Sequence, residues 1–427
     1  ALAERAASAL DPRPPWVEAL AVRVRALSRT PPVDDPARLR NHIEEFLEAR
    51  VAGPRDAPPP EIISRIRAEP VDVRPARGEL RHDWPIAELE SVPELARRLE
   101  LSDGQLAWLG DVRGLERTVD SERLRNYRYR WVPRRSGLPR PVEAPKLRLK
   151  EVQRWILHAI LDAVPPHPAA HGFTRGRSVL SHASVHVGRP AVLRLDLRDF
   201  FASVSAGRVF GIFRTLGYRP AVAHVLTGLT TNTVPQLVWN ALPPPAHAEL
   251  VGPQFALGRR LATPHLPQGA PSSPALANLA AFGLDRRLTG LAAAHELHYS
   301  RYADDLTFSG AGLSGPRSRR ISEWIAEIAR DEGFRLHPAK SNLRTAARRQ
   351  TVTGIVVNAH PNLARADFDR LKATLHRLAR DGGAAAEPED DGVELRARLN
   401  GRVAWVESLN PHRGAKLRRL FDGIDWG

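Results

Sequence analysis

Short apolar runs with period-two alternation occupy the middle of the chain, and each ends in polar or turn-forming residues. Ala191-Val192-Leu193-Arg194-Leu195-Asp196-Leu197 reads as a strand that breaks at Arg198-Asp199-Phe200-Phe201. Tyr299, Arg301 and Ala303 alternate with their neighbours ahead of Asp304-Asp305, and Leu306 and Phe308 do so after it. This predicts a β-hairpin with both carboxylates in its turn. Upstream, Tyr127–Val132 and residues 141–144 flank the basic segment Arg134-Arg135-Ser136-Gly137-Leu138-Pro139-Arg140, predicting a second hairpin.

Helical spacing takes over elsewhere. Val152, Trp155, Ile156, Ile160 and Leu161 share one face of a helix predicted over 150–164. The loop Thr263-Pro264-His265-Leu266-Pro267-Gln268-Gly269-Ala270-Pro271-Ser272-Ser273-Pro274 is stiffened by its prolines, and Ser273 with Pro274 predicts the start of a helix over 275–288. A strand is predicted over 352–357. Phe368, Leu371, Leu375 and Leu378 mark a helix, and after an acidic low-complexity loop at 384–391 a further helix spans 393–409, followed by a basic tail with Arg413, Lys416, Arg418 and Arg419. Residues 1–120 read as a helical extension. It has patches at 39–50 and 62–67 between Pro-rich breaks, then two short helices within 93–109 separated by Ser102-Asp103-Gly104.

Composition narrows the class. A 427-residue chain with 42% hydrophobic residues supports a buried core and two or three domains. Lys and Arg outnumber Asp and Glu by 63 to 48, a net charge of +15, which suits a polyanionic partner. Residues 121–160 hold eleven Lys or Arg against three Glu, so this stretch is the candidate phosphate-facing surface. Nothing approaches the roughly 18 apolar residues of a membrane span, and no signal-peptide pattern opens the chain; a cytoplasmic protein with no membrane association is expected. With no Cys, disulfides, thiolate metal sites and thiol nucleophiles are excluded, so any metal should be a hard cation held by oxygen.

Chemistry then concentrates on three acids. Adjacent carboxylates at Asp304-Asp305 repel one another unless cations hold them, and a turn built for relaxation would carry Gly at the second position. Asp196, at the end of another predicted strand, supplies a third. Two Mg²⁺ ions roughly 3.5–4 Å apart, bridged by such acids, activate an attacking hydroxyl and stabilise a leaving pyrophosphate oxygen. That is the chemistry of nucleotidyl transfer.

The ordered set Leu195-Asp196-Leu197-Arg198-Asp199-Phe200-Phe201, Leu266-Pro267-Gln268-Gly269-Ala270-Pro271-Ser272-Ser273-Pro274 and Tyr302-Ala303-Asp304-Asp305 resembles the palm motifs of reverse transcriptases. His171-Gly172-Phe173-Thr174-Arg175-Gly176-Arg177-Ser178 resembles the fingers motif of the bacterial enzymes, and Gly333-Phe334-Arg335-Leu336-His337-Pro338-Ala339-Lys340 their lysine-bearing palm segment. Val352-Thr353-Gly354, with His182-Ala183-Ser184-Val185-His186 ahead of Asp196, resembles the signatures of retron reverse transcriptases, with His182 where the family has Asn. Leu399-Asn400-Gly401-Arg402-Val403-Ala404-Trp405-Val406 and Asn410-Pro411 are similar to the family's thumb. Group II intron and diversity-generating enzymes are the nearest rivals, and a non-catalytic RNA-binding or toxin-neutralising subunit is the alternative from another class.

The resemblance implies an α+β right-hand polymerase. Its parts would be fingers and palm with a small antiparallel sheet at 121–358 and a helical thumb at 359–427, preceded by the helical extension at 1–120, which lies outside the resemblance. It implies Asp196, Asp304 and Asp305 as catalytic ligands of two Mg²⁺ ions, with the Leu197 carbonyl as a further ligand and Lys340 as general acid. Arg134, Arg135 and Arg140 are expected at the triphosphate, Asp199, Phe200, Gln268 and Gly269 near the nucleotide, and Phe201 as the ring that excludes a ribose 2′-OH. His186, Val352, Thr353 and Gly354 are expected to serve RNA binding. Partners implied are dNTPs, a structured noncoding RNA that is both template and primer, its branched cDNA product, and an effector toxin in anti-phage defence.

Overall fold

The structure, a computed structural model, describes residues 10–11, 61–62, 84–133, 138–242, 244–245, 247–313, 315–337, 341–381 and 392–426. In the N-terminal stretch, β1 (Leu10–Asp11) pairs antiparallel with β2 (Glu61–Ile62). Ile62, expected in a helix, is therefore in a strand; the patch at 39–50 and the rest of 62–67 lie outside the described residues. Two short helices follow, Val92–Arg98 and Asp103–Leu109. The second is opened by a capping box in which Ser102 and Gln105 satisfy each other's backbone N–H groups. Leu95, Leu99, Leu106 and Leu109 are buried in the same core as the central sheet, so this part of the expected extension shares the main hydrophobic body.

The basic hairpin forms as expected. β3 (Tyr127–Val132) and β4 (Arg140–Pro145) pair from Tyr127 opposite Pro145 to Val132 opposite Arg140. The helix after it runs Leu147–Ala159, starting and ending earlier than its apolar face suggests. Ile160 leaves helical geometry, and Leu161–Ala163 continue as a single 3₁₀ turn ahead of Pro165-Pro166. The helix predicted over 275–288 is two, Ser273–Ala280 and Phe282–Ala294, because Ala281 leaves the α region and redirects the chain. Ser273 is thus inside the first helix; Ser272 precedes it.

A four-stranded antiparallel sheet, in the order β6-β7-β5-β8, forms from β5 (Ala191–Asp196), β6 (His298–Tyr302), β7 (Asp305–Ser309) and β8 (Asn342–Thr345). Leu193 and Leu195 of β5 lie opposite Phe308 and Leu306, making one face apolar and buried in the main core. The other face is polar. On it, the helix Val179–Ser184 and the segment after it set His182 and His186 against Ser300, Thr307 and Ser309. His186 meets Ser309 Oγ through Nδ1 at 2.7 Å and Ser300 Oγ through Nε2 at 2.8 Å, and His182 Nδ1 meets the same Ser300 Oγ at 2.8 Å.

The predicted strand over 352–357 is a hairpin of β9 (Thr351–Val352) and β10 (Ile355–Val356). Thr353 and Gly354 both take positive φ, at 45° and 86°, which is the two-residue turn that matches strand twist. The hairpin packs on the His-bearing helix, with Val352, Ile355 and Val357 clustered on Ala183 and Val192. C-terminal helices Arg365–Asp381, Gly392–Leu409 and Pro411–Asp422 build a core of their own from Leu371, Leu375, Leu399, Val403, Leu417 and Phe421. Arg418 of the expected basic tail is tied back to Glu407 by two bonds of 2.9 and 2.7 Å.

The hairpin of β6 and β7 is held from beneath by an ion pair with no exposure at all. Arg301 donates from Nε to Asp285 Oδ1 at 2.8 Å and from Nη2 to Oδ2 at 2.7 Å, and Tyr299 OH adds a bond of 2.8 Å to the same carboxylate. Removing one partner of such a pair strands a buried charge. Asp285→Ala is therefore expected to lower the folding free energy by about 3–5 kcal/mol, read from the urea midpoint; a loss below about 1 kcal/mol would mean the pair carries no such weight.

The buried histidines generate a second expectation. Burial, then the nearby His171, Arg194 and Arg301, lower the His182 pKa to about 3, and burial with His182 and its neighbours takes His186 well below the usual value. The fold therefore keeps both neutral, whereas the unfolded chain takes up protons below about pH 6.5. Stability is full above that pH and falls as pH drops, by about 1.4 kcal/mol per unit for each histidine. Denaturation midpoints at pH 7.5 and 5.5 should show the loss, and His182→Asn with His186→Gln should lessen it; equal midpoints in wild type would contradict it.

Candidate active site at the sheet end

Strand register assembles the acids. Asp196, the last residue of β5, lies directly opposite Asp305, the first residue of β7, and Asp305 is in turn opposite Tyr302. The turn between β6 and β7 is therefore Ala303-Asp304, one residue earlier than the sequence suggests. The left-handed backbone falls on Ala303, at φ 55°, and not on the second Asp. Several bonds hold it there. Arg301 Nη1 donates to Ala303 O at 3.0 Å and to Asn278 Oδ1 at 3.0 Å, and Asn278 Nδ2 donates to Gly172 O at 2.9 Å. Gly172 is required at this contact, since a Cβ there would stand 2.5 Å from Ala303 N.

The break after β5 is pinned to the same turn. Leu197 N–H donates to Asp304 O at 2.8 Å, and His337 N–H donates to Asp196 O at 2.7 Å. Two carboxylate-bearing segments 108 residues apart in sequence are thus bonded backbone to backbone. The donor set is hard oxygen, which fits Mg²⁺. The described residues contain no group of three His, Asp or Glu side chains already converged as a metal cage. Asp305 Oδ2 accepts from Arg194 Nη2 at 2.5 Å, so one oxygen of this carboxylate is held by a cation of the sheet itself.

Other expected residues divide. Phe201 is half-buried, its ring 5.6 Å from Phe200 and 6.1 Å from Phe173. Phe200 is core: it packs on Phe334 and lies under the Arg301 guanidinium at 5.5 Å, offering no face to a substrate. Asp199, at φ 49°, gives its carboxylate to Arg260 at 2.6 Å and Arg198 at 3.4 Å and is partly exposed. Gln268 and Gly269 dock on the basic hairpin: Glu143 N–H donates to Gln268 O at 2.9 Å, and a Cβ at Gly269 would reach within 2.8 Å of Glu143 O. Arg140 opens β4 and is exposed. Arg134, Arg135 and Lys340 lie outside the described residues.

The retron-like signatures meet in space, with Ala183 and Val352 in one apolar cluster. His186 and Val352 are fully buried there, which corrects any direct RNA contact by these two side chains; Gly354 is exposed and Thr353 half-buried at the turn. Residues missed by sequence reasoning are Arg194, Asp285 and Phe173. Arg194 carries a signal, being a charge inside an apolar strand. Phe173 stands 51% exposed at φ 59°, its ring 6.4 Å from Tyr302, and only its place in the Gly172-Phe173 motif hints at it. Beneath the basic hairpin, buried Glu143 accepts from Asn232 at 2.7 Å and pairs with buried His265 at 3.0 Å. Burial lowers the His265 pKa, but the Glu143 carboxylate and its hydrogen bond outweigh this and raise it overall.

Comparison with known proteins identifies the family. Residues 132–357 match the family model described as reverse transcriptase (RNA-dependent DNA polymerase). The chain is 41% identical over 300 residues to the retron Mx65 reverse transcriptase of Myxococcus xanthus, covering 70% of this chain and 65% of that one. It is 35% identical over 362 residues to the retron Mx162 enzyme of the same organism, covering 81% and 69%. With the retron Ec86 reverse transcriptase of Escherichia coli it shares 32% over 240 residues, 56% of this chain and 65% of that one. The chain thus spans about two thirds of the length of these relatives. Among the described residues no helix is long and apolar enough to cross a membrane. By the matched span and these relatives, the chain belongs to the reverse transcriptase family, in its bacterial retron-type branch.

Proposed function

We propose that the chain is an RNA-directed DNA polymerase whose active centre is the end of the sheet at Asp196, Asp304 and Asp305. The observation that carries this reading is the register that sets Asp196 against Asp305 with Asp304 in the adjoining turn. These three carboxylates, with the Leu197 carbonyl, would hold two Mg²⁺ ions. When bound, the ions would activate the attacking hydroxyl and stabilise the leaving pyrophosphate oxygen. Arg140, with Arg134 and Arg135, takes the triphosphate, because guanidinium forks match phosphate oxygens in pairs. Gln268 and Gly269, docked on the same hairpin, border the incoming nucleotide, and Lys340 protonates the leaving group.

In this reading β3 and β4 belong to the fingers, the four-stranded sheet to the palm and the C-terminal helices to the thumb of a right hand, with 121–358 and 359–427 as the two catalytic parts. Thr353 and Gly354 present the retron-type turn to RNA, and His186 and Val352 hold that turn in place from behind. The template and primer is a structured noncoding RNA, extended from an internal 2′-OH into a branched RNA–DNA product. The role is anti-phage defence in the cytoplasm with an effector partner. Similarity to retron reverse transcriptases supports this finer assignment.

Asp304→Asn is expected to cut primer extension by about a hundredfold or more while leaving RNA binding intact, compared by gel extension and filter binding. Extension at the wild-type rate would refute the metal assignment. Phe201→Ala should raise ribonucleotide incorporation relative to deoxynucleotide; unchanged sugar selectivity in single-nucleotide insertion would remove Phe201 from the gate.

A further inference from the structure

Next to the carboxylates, between β5 and β8, the polar face of the sheet opens into a cavity of about 310 Å³. Val192, Arg194, Asn342, Arg344, Arg349 and Thr351 line it, three cations and no acid. The register explains the lining: Val192 lies opposite Arg344 and Arg194 opposite Asn342, so all four project from one face. Asp196 belongs to that face too, two residues beyond Arg194, roughly 7 Å along the strand.

The guanidiniums are under-satisfied. Arg194 spends Nη2 on Asp305, while its Nε is buried without a hydrogen-bond partner. Arg344 has one bond, from Nε to Asn342 Oδ1 at 2.9 Å, and Arg349 is exposed. Concentrated positive charge with unused N–H groups is the chemistry that recognises a phosphate. The lining also has a direction. Thr351 begins the β9–β10 hairpin, so the wall leads from Asp196 across Arg194 and Arg344 toward the exposed turn at Thr353-Gly354. Three guanidiniums spread along two strands beside Asp196 suit a phosphate that belongs to a chain better than a single free ion.

We propose that this cavity seats a backbone phosphodiester of the strand whose terminal hydroxyl lies at Asp196. The proposal rests on the catalytic reading of Asp196, and its test is kept separate from that reading by using neither metal nor turnover. A fluorescein-labelled RNA–DNA primer–template is titrated into the full chain, followed by anisotropy across a salt series. Wild type is compared with Arg344→Gln/Arg349→Gln and with the single exposed variant Arg349→Gln. Primers carry one uncharged methylphosphonate at the first, second or third linkage from the 3′ end, and inorganic pyrophosphate binding is measured in parallel.

The double variant should bind about tenfold or more weakly and show a salt slope shallower by about one to two, with the single variant between. One methylphosphonate position should weaken binding to wild type and leave the double variant indifferent. Equal affinities and slopes overturn the proposal. So does loss of pyrophosphate binding in the variant with its methylphosphonate pattern unchanged, which would make the cavity a free-anion site. A variant with an altered thermal midpoint is set aside in favour of the single substitution, whose reduced or unchanged slope decides the same question. Asp304→Asn retaining extension would sink the catalytic reading without touching these outcomes.

Discussion

A buried arginine holds the acidic end of the central sheet in place. Arg301 is fully enclosed, and its five donors are distributed so that two lock onto Asp285 while another reaches both Ala303 O and Asn278. The cost of burying that charge is offset only because every bond is made at once. The consequence is geometric. The turn Ala303-Asp304 cannot relax toward a backbone more comfortable for alanine without losing a bond to the guanidinium, and Gly172 closes it from the other side. Asp304 O then meets Leu197 N–H, and the two strand ends that carry the acids stay together.

Around that fixed point the charges are arranged in opposition. Three carboxylates crowd one sheet end, Arg194 partly neutralises one of them, and the basic hairpin is fastened nearby through Glu143 to the Gln268-Gly269 loop. On the polar face, uncharged histidines bridge serines, so this packed part of the face adds no charge to that of its arginines and acids at neutral pH. The two retron-like signatures, separated by more than 160 residues, form one packed unit on this face, with their exposed part at the Thr353-Gly354 turn. A single sheet therefore carries both the three acids and the segments that resemble the retron signatures.

Much of this was legible in the chain. Alternating runs located β3 and β5 to β7, and the order of the motifs around Asp196, Gln268 and Asp304-Asp305 pointed to the reverse transcriptase family. What stayed hidden has physical causes. The turn came one residue early since turn rules assign a positive φ to Gly or Asn, and tertiary bonds here impose it on Ala303. Arg301 and Asp285, in different elements, look like ordinary surface charges until the helix break at Ala281 aims Asp285 beneath β6. His186 reads as an RNA-facing signature residue, yet burial among serines is visible only once the helix and sheet are packed. Gly354 signals the β9–β10 turn, but apolar residues on both sides make the segment read as one continuous strand.

The measurement that bears most directly on the account is the product itself. The chain is purified with its bound nucleic acid, supplied with dNTPs and Mg²⁺, and the DNA made is sequenced and tested for a 2′,5′ linkage to RNA. The account predicts DNA complementary to the bound RNA, joined to it through a 2′,5′ branch and absent when the metal is chelated. DNA whose sequence is independent of the RNA, or no DNA synthesis at all from an intact chain and template, would contradict it.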